Sequence, residues 1–255
     1  MSPDSHPPPS EGPPDASMRP MLRELRLAAD AGAWARLGFT VVDDACLVGE
    51  VMLRFADPGR GDQGIVSWTL AGAMAGRREV RAGSSLDIDG LVTEIPSAGR
   101  DTGERICGDH ANGALLVDHV VVTTPELDRT FAALERAGLD LRRVRDAGPA
   151  PPAMARAGMP DARLRQGFYR LGAPILEVVG PDQRGPQADG PAAFWGLVVV
   201  VGDLEACARL APEHLGAPRD AVQPGRRIAT VRRSAGLGLP MAFITPDPRH
   251  RWTDD

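Results

Sequence analysis

Between Leu115 and Pro181 the apolar and polar positions fall into a legible order. LLVDHVVVTT is a compact β-branched run of strand length. PELDRTFAALERAG then places Leu127, Phe131 and Leu134 at i, i+4 and i+7 with charges opposite, which predicts an amphipathic helix ended by Gly138. LDLRRVRD, RLRQGFYRLG and APILEVVGP follow as three extended segments with Gly and Pro at their junctions. The predicted order is βαβββ.

That order recurs, and internal repetition is the strongest architectural signal in a single sequence. FWGLVVVVGDLEACARLAPEHLG aligns with VDHVVVTTPELDRTFAALERAG as strand, acidic turn and helix, and RRIATVRR and LPMAFITP supply later strands. A fainter copy precedes both: RELRLAADAGAWARLGF reads as strand and short helix, with TVVDD, LVGEVMLRF and GIVSWTLAG as three strands. The expected modules are 20–72, 114–181 and 193–246. Residues 73–113 form a connector with one strand-like piece, SLDIDGLVTEI, and residues 1–19 form a Pro-rich tail too polar to order itself.

Composition narrows the function. Against 34 acidic residues stand 29 basic ones, a formal charge of −5, so no nucleic-acid footprint is expected. No run approaches the roughly 18 apolar residues of a membrane span, and the N-terminus lacks a secretory pattern. The expectation is a cytoplasmic protein with no membrane partner. Cys46, Cys107 and Cys207 lie far apart, without a disulfide or thiolate-zinc spacing. Every basic side chain is Arg; with no Lys, Schiff-base chemistry and a Walker phosphate site are excluded. The abundance of Arg, Ala, Gly and Pro reads as bacterial, high-GC coding.

The tandem modules, with the phrases DHVVVTTPELDRTFAALERAGLDL and FYRLGAPILEVVGP, resemble the vicinal oxygen chelate superfamily of glyoxalases, bleomycin-resistance proteins and extradiol dioxygenases. The resemblance implies an α+β fold in which curved mixed sheets enclose a cleft. It also implies a divalent metal held by residues of the first and fourth strands of a module. His119 and Glu177 match those positions in the central module, where each is expected among apolar neighbours: His119 with Val117 and Val121, Glu177 with Ile175 and Val179. An imidazole and a carboxylate suit Zn, Fe, Mn or Ni. In the last module the matching positions read Gly196 and Phe243, neither a ligand. Matching the first module puts Glu24 opposite His119, a candidate third ligand, and Ser67 or Trp68 opposite Glu177.

Two readings of function stand at this point. In one, a metal-assisted isomerase or lyase uses His119 to hold the ion and Glu177 to hold it or to act as base. In the other, a non-catalytic protein sequesters a small molecule, without metal, in an aromatic-lined cleft, as bleomycin-resistance relatives do. Gly196 and Phe243 favour the second, and the missing second histidine argues against an extradiol dioxygenase. Tyr169, Trp195 and Phe243 are candidate walls for the ligand. Arg227, in a cluster with Arg226, Arg232 and Arg233, is a candidate anion clamp or else part of a solvated face. His110 and Asn112 fall in a turn ahead of the central module. Three modules cannot all pair within one chain, so a homodimer is expected, or else an unpaired first module capped by the connector.

Overall fold

Each α-helix among the described residues begins where an acidic side chain accepts an otherwise orphaned backbone N–H. The computed structural model describes residues 19–59, 61, 63–72, 82–96, 109–149, 163–183 and 189–248. Asp30 caps α1 (Ala31–Arg36) by accepting from Gly32 N. Glu126 caps α2 (Leu127–Arg136) through Arg129 N, and Asp203 caps α3 (Leu204–Leu210) through Ala206 N. The acidic turns aligned in the sequence are therefore equivalent N-caps. The tail before Arg19, part of the connector, and Cys107 lie outside the described residues.

The strands form two curved mixed sheets. The first contains β1 (Met21–Ala28), β2 (Ala45–Val48), β3 (Val51–Ala56), β4 (Gly64–Ala71), β5 (Ser85–Ile88) and β6 (Leu91–Glu94), in the order β2-β3-β1-β4-β6-β5. The second contains β7 (Ala114–Thr123), β8 (Leu141–Pro149), β9 (Arg163–Arg170), β10 (Ile175–Pro181), β11 (Ala193–Val201), β12 (Arg219–Asp220), β13 (Arg227–Thr230) and β14 (Met241–Ile244). Its order is β12-β13-β14-β11-β7-β10-β9-β8.

One pairing rule runs through both sheets. The opening strand of each repeat is parallel to its last strand, which is antiparallel to the strand before it. This holds for β1, β3 and β2; for β4, β6 and β5; for β7, β10 and β9; and for β11, β14 and β13. Opening strands then pair antiparallel, β1 with β4 and β7 with β11.

This corrects the reading of the N-terminal part. β4 is not the fourth strand of a module over 20–72; it pairs antiparallel with β1, at Leu27↔Ile65 for example, and opens a further shortened repeat. That repeat is closed by the β5–β6 hairpin, inside the segment expected to be a connector. No module is left without a partner in the chain, so the argument for a homodimer from an odd module does not hold.

One face of each sheet meets the shared core. Val117, Val120, Val122, Leu176, Val178, Val199 and Phe243 from the second sheet join Leu25, Leu27 and Trp68 from the first and Trp34 from α1. Phe39 stacks on Phe243 with ring centroids 5.8 Å apart, and Trp68 meets Phe194 edge-on at 5.2 Å. Such pairs add to the area term of about 25 cal/mol per Å² of apolar surface buried. Polar contacts fix the register between the sheets. Asp89, at the tip of the β5–β6 turn with φ 53°, presents its carboxylate to Arg129 Nε at 2.7 Å and to the Thr130 hydroxyl on α2. Asp tolerates this left-handed conformation better than most residues. No helix among the described residues is long and apolar enough to cross a membrane.

His110 and Asn112 are structural. Asn112 Nδ2 donates to Leu37 O at 2.9 Å and its Oδ1 accepts from Ala114 N at 3.0 Å, fastening the start of β7 to the end of α1. His110 Nδ1 accepts from Thr40 N at 3.0 Å, which leaves the ring proton on Nε2 for Leu47 O at 2.9 Å. Burial holds its pKa below the ordinary value, while the Leu47 bond and Asp109 oppose that shift. A lowered folded pKa contributes stability that is complete above the unfolded imidazole's value, about 6.5, and is lost as pH falls from there toward the folded value. The thermal midpoint of the wild type is therefore expected to fall more between pH 7.5 and pH 5 than that of His110→Gln, as followed by circular dichroism.

Candidate functional site

β7 carries one residue more than its neighbour at the point where the chemistry concentrates. Val117 faces Val199 and His119 faces Val198, so Asp118 is an inserted residue, a β-bulge. The bulge breaks the alternation of side chains. Val117 turns into the main core and Val121 onto the opposite face, against Leu164, Val179 and Trp195, so His119 does not share a face with both valines as expected. Asp118 and His119 instead lie side by side, with Asp118 Oδ2 2.7 Å from His119 Nδ1.

From this dyad a polar chain crosses the sheet. His119 Nε2 lies 3.4 Å from Glu177 Oε2 on β10. Glu177 Oε1 accepts from Gln166 Nε2 at 2.6 Å on β9, and Gln166 Oε1 accepts from Arg145 Nε at 2.6 Å on β8. The Arg145 guanidinium sits 5.2 Å over the Phe168 ring. On the other side, Arg226 Nη2 donates to Asp118 Oδ1 at 2.6 Å and Nε to Thr245 O at 2.8 Å. Arg226 is 7% exposed, and the His119 and Glu177 side chains 14% and 13%.

The Arg226–Asp118 contact reveals the shape of the sheet. Arg226 immediately precedes β13, three strand positions from β7. On a flat sheet that separation is about 14 Å and side chains stand upright, so the two would not meet. They meet because the sheet curls, and the face carrying Asp118, His119 and Glu177 is its concave side. A cavity of about 700 Å³ opens there, lined by Leu116, Ile175 and Val200 together with Asp118 and Arg226.

Electrostatics fixes the state of the dyad. Burial pushes the Asp118 carboxyl up, but its bonds to His119 and Arg226 outweigh this and hold it below the ordinary carboxylate value. An ionised Asp118 only accepts, so Nδ1 of His119 carries a proton, and Nε2 is the ring nitrogen turned toward Glu177.

For a divalent metal this donor set is short. His119 and Glu177 present one nitrogen and one carboxylate, but the equivalent positions of the last repeat supply none. The helix caps Glu126 and Asp203 align Gly196 with His119. The parallel registers Glu177↔Val121 and Ala242↔Val198 make Ala242 the counterpart of Glu177, which corrects the expected Phe243 by one residue. A Cβ at Gly196 would lie 2.7 Å from Pro240 O, so the backbone leaves no room for a ligand side chain. No cluster of three or more metal-ligating side chains occurs among the described residues. The Arg226 cation beside Asp118 further opposes a second positive charge.

The remaining candidates separate. Glu24 lies in the other sheet, where Arg54 Nε donates to it at 2.8 Å, so it cannot complete a centre with His119. Tyr169 and Phe243 are fully buried on the core side, Tyr169 against Phe131. Arg227 is exposed and pairs with Glu205 on α3. Trp195 alone of these packs on the concave side. Cys46 and Cys207 are buried free thiols whose pKa burial pushes up to about 12, which leaves them inert. Asp118, Gln166, Arg145 and the bridging role of Arg226 went unread in the sequence; the adjacent Asp118 and His119 in a β-branched run were the one available signal.

Neither a protein-family model nor a curated protein sequence matches the chain. Solved structures do. A mutant of 4-hydroxymandelate synthase from Streptomyces coelicolor superposes with a TM-score of 0.60 at 15% identity, covering 90% of this chain and 93% of that one. A xylose isomerase-like TIM barrel/4-hydroxyphenylpyruvate dioxygenase fusion protein gives a TM-score of 0.57 at 12% identity, covering 94% of this chain and 50% of that one.

The Arg226–Asp118 pair is expected to be strongly coupled. Asp118→Ala and Arg226→Ala should each cost about 3 kcal/mol by leaving a buried charge unpaired, and the double variant about as much as either alone. Urea denaturation of the four proteins measures the cycle. Across nine-tenths of its length, with two paired mixed sheets of repeated strand order, this chain has the vicinal oxygen chelate fold.

Proposed function

We propose that the chain binds a small oxygenated molecule in the hollow of its eight-stranded sheet, through direct side-chain contacts and without a resident metal. One observation carries the reading. The hollow keeps adjoining polar groups in one repeat, Asp118 bonded to His119 and Gln166 bonded to Glu177 with His119 and Glu177 3.4 Å apart, while the partner repeat offers Gly196 and Ala242 where a metal centre would need donors. A buried polar group is costly unless partnered, and the exposed edges of His119 and Glu177 are free to take a ligand's oxygens. The structural neighbours are named for 4-hydroxymandelate and 4-hydroxyphenylpyruvate, which supports the size class of ligand.

A second reading, proton-transfer catalysis of the isomerase type, has one observation in its favour. Asp118 holds Nδ1 of His119, so Nε2 and the Glu177 carboxyl stand 3.4 Å apart, two groups able to exchange a proton with a bound molecule. A bound molecule with an acidic C–H would show this activity by taking up deuterium from solvent.

A thermal-shift screen of small organic acids, phenols and ketones tests the binding reading. Hits are expected to stabilise wild type equally with and without a chelator, and to lose at least tenfold in affinity in His119→Ala and Glu177→Ala proteins that remain folded. Stoichiometric transition metal in the purified protein, required by every hit, would overturn it.

A further inference from the structure

The hollow lacks the donors for a metal cation but contains a cation of its own. Arg226, immediately before β13, reaches past β14 and β11 and ends on Asp118 of β7. On this side of β11 and β14, Val198, Val200, Ala242 and Ile244 cluster as the small apolar face of the repeat without metal donors, and Val200 lines the cavity with Arg226. The guanidinium is held at two points, by Thr245 O through Nε and by Asp118 through Nη2. Nη1 makes no hydrogen bond among the described residues, and Arg226 lines the 700 Å³ cavity.

From this we infer that the ligand is an anion, a small organic carboxylate, received by the guanidinium of Arg226. The inference rests on the binding reading above and narrows it to a chemical class. Three features support it. Arginine presents its N–H groups in a planar fork that matches a carboxylate, and two anchored nitrogens fix that plane before the ligand arrives. The cavity wall carries three further arginines, Arg19, Arg142 and Arg170, against Asp118, Asp140 and Asp247. Asp118 is already engaged by Arg226 and His119, and Asp140 lies 3.8 Å from Arg142, whereas Arg19 and Arg170 have no acidic partner among the described residues. The rest of the wall, Leu116, Ile175 and Val200, is apolar and suits a hydrocarbon body.

The probe is a matched pair, benzoate and benzamide, equal in size and differing in charge, titrated calorimetrically into chelator-treated full-length protein. Benzoate is expected to bind at least tenfold more tightly than benzamide, and to weaken as salt rises. Arg226→Lys, which keeps the charge but loses the fork, should retain part of the affinity. The uncharged pair Asp118→Asn with Arg226→Gln, which leaves no buried charge alone and is checked for folding by circular dichroism, should lose at least tenfold. Equal binding of benzamide, or benzoate binding unchanged in the uncharged double variant, would overturn the anion assignment while leaving the wider reading intact. Binding of neither probe also overturns it, and the His119-dependent screen then decides the wider reading by itself.

Discussion

The chemistry of this molecule depends on one buried ion pair that spans a hollow. Arg226 and Asp118 come from strands that would be far apart on a flat sheet, and they meet only because the eight strands curl. Removing two charges from water is expensive, and their attraction offsets that cost only when the remaining hydrogen-bonding groups are also satisfied. Most of them are here: Asp118 has His119 on its second oxygen and Arg226 has the Thr245 carbonyl on Nε, which leaves Nη1 toward the cavity without a partner among the described residues. The pair therefore ties the curl of the sheet to the orientation of the His119 ring, and a change in one is felt in the other.

The bulge at Asp118 makes this coupling available. In a regular strand Asp118 and His119 would point to opposite faces, one into the apolar core. The inserted residue brings both to the concave side and turns Val117 back to the core, where it is fully buried. A carboxylate, an imidazole and a second carboxylate then lie in sequence across β7 and β10, with Gln166 and Arg145 completing the row. The row follows the register of the sheet, in which parallel pairing sets Glu177 beside Val121 and antiparallel pairing sets it beside Phe168.

How much of this the sequence disclosed follows from how local each signal is. The two C-terminal repeats were legible because strand runs, acidic caps and amphipathic helices are written within twenty residues, and Glu126 and Asp203 cap as their alignment implied. The N-terminal half is harder to read because its repeats have three strands each among the described residues instead of four. β4 is then easily taken for a fourth strand instead of a new beginning, and only long-range pairing with β1 tells them apart. His119 and Glu177 were found by position, and the structure brings them together. Phe243 was chosen over Ala242 because counting back from the chain's turns does not reveal parallel register, and an error of one residue inverts the face. Arg226 was one of four similar arginines, and nothing in its neighbours marks it as the one that reaches across 108 positions of sequence.

A duplicated fold can place different chemistry in its two copies because each copy is stabilised mainly by its own side of the core. Phe243, Val199 and Leu197 remain buried against the first sheet whatever faces the hollow, so the concave positions of the last repeat are released from any demand except packing. Filled with Val198, Val200, Ala242 and Ile244, they remove polar competitors for the Arg226 guanidinium and lower the dielectric around it. The loss of donors in one repeat and the strength of the charge held above it are in that sense the same structural change. An arginine in a dry, small-residue hollow, already anchored at two nitrogens, is a better host for a single anionic group than it would be on the protein's outer surface.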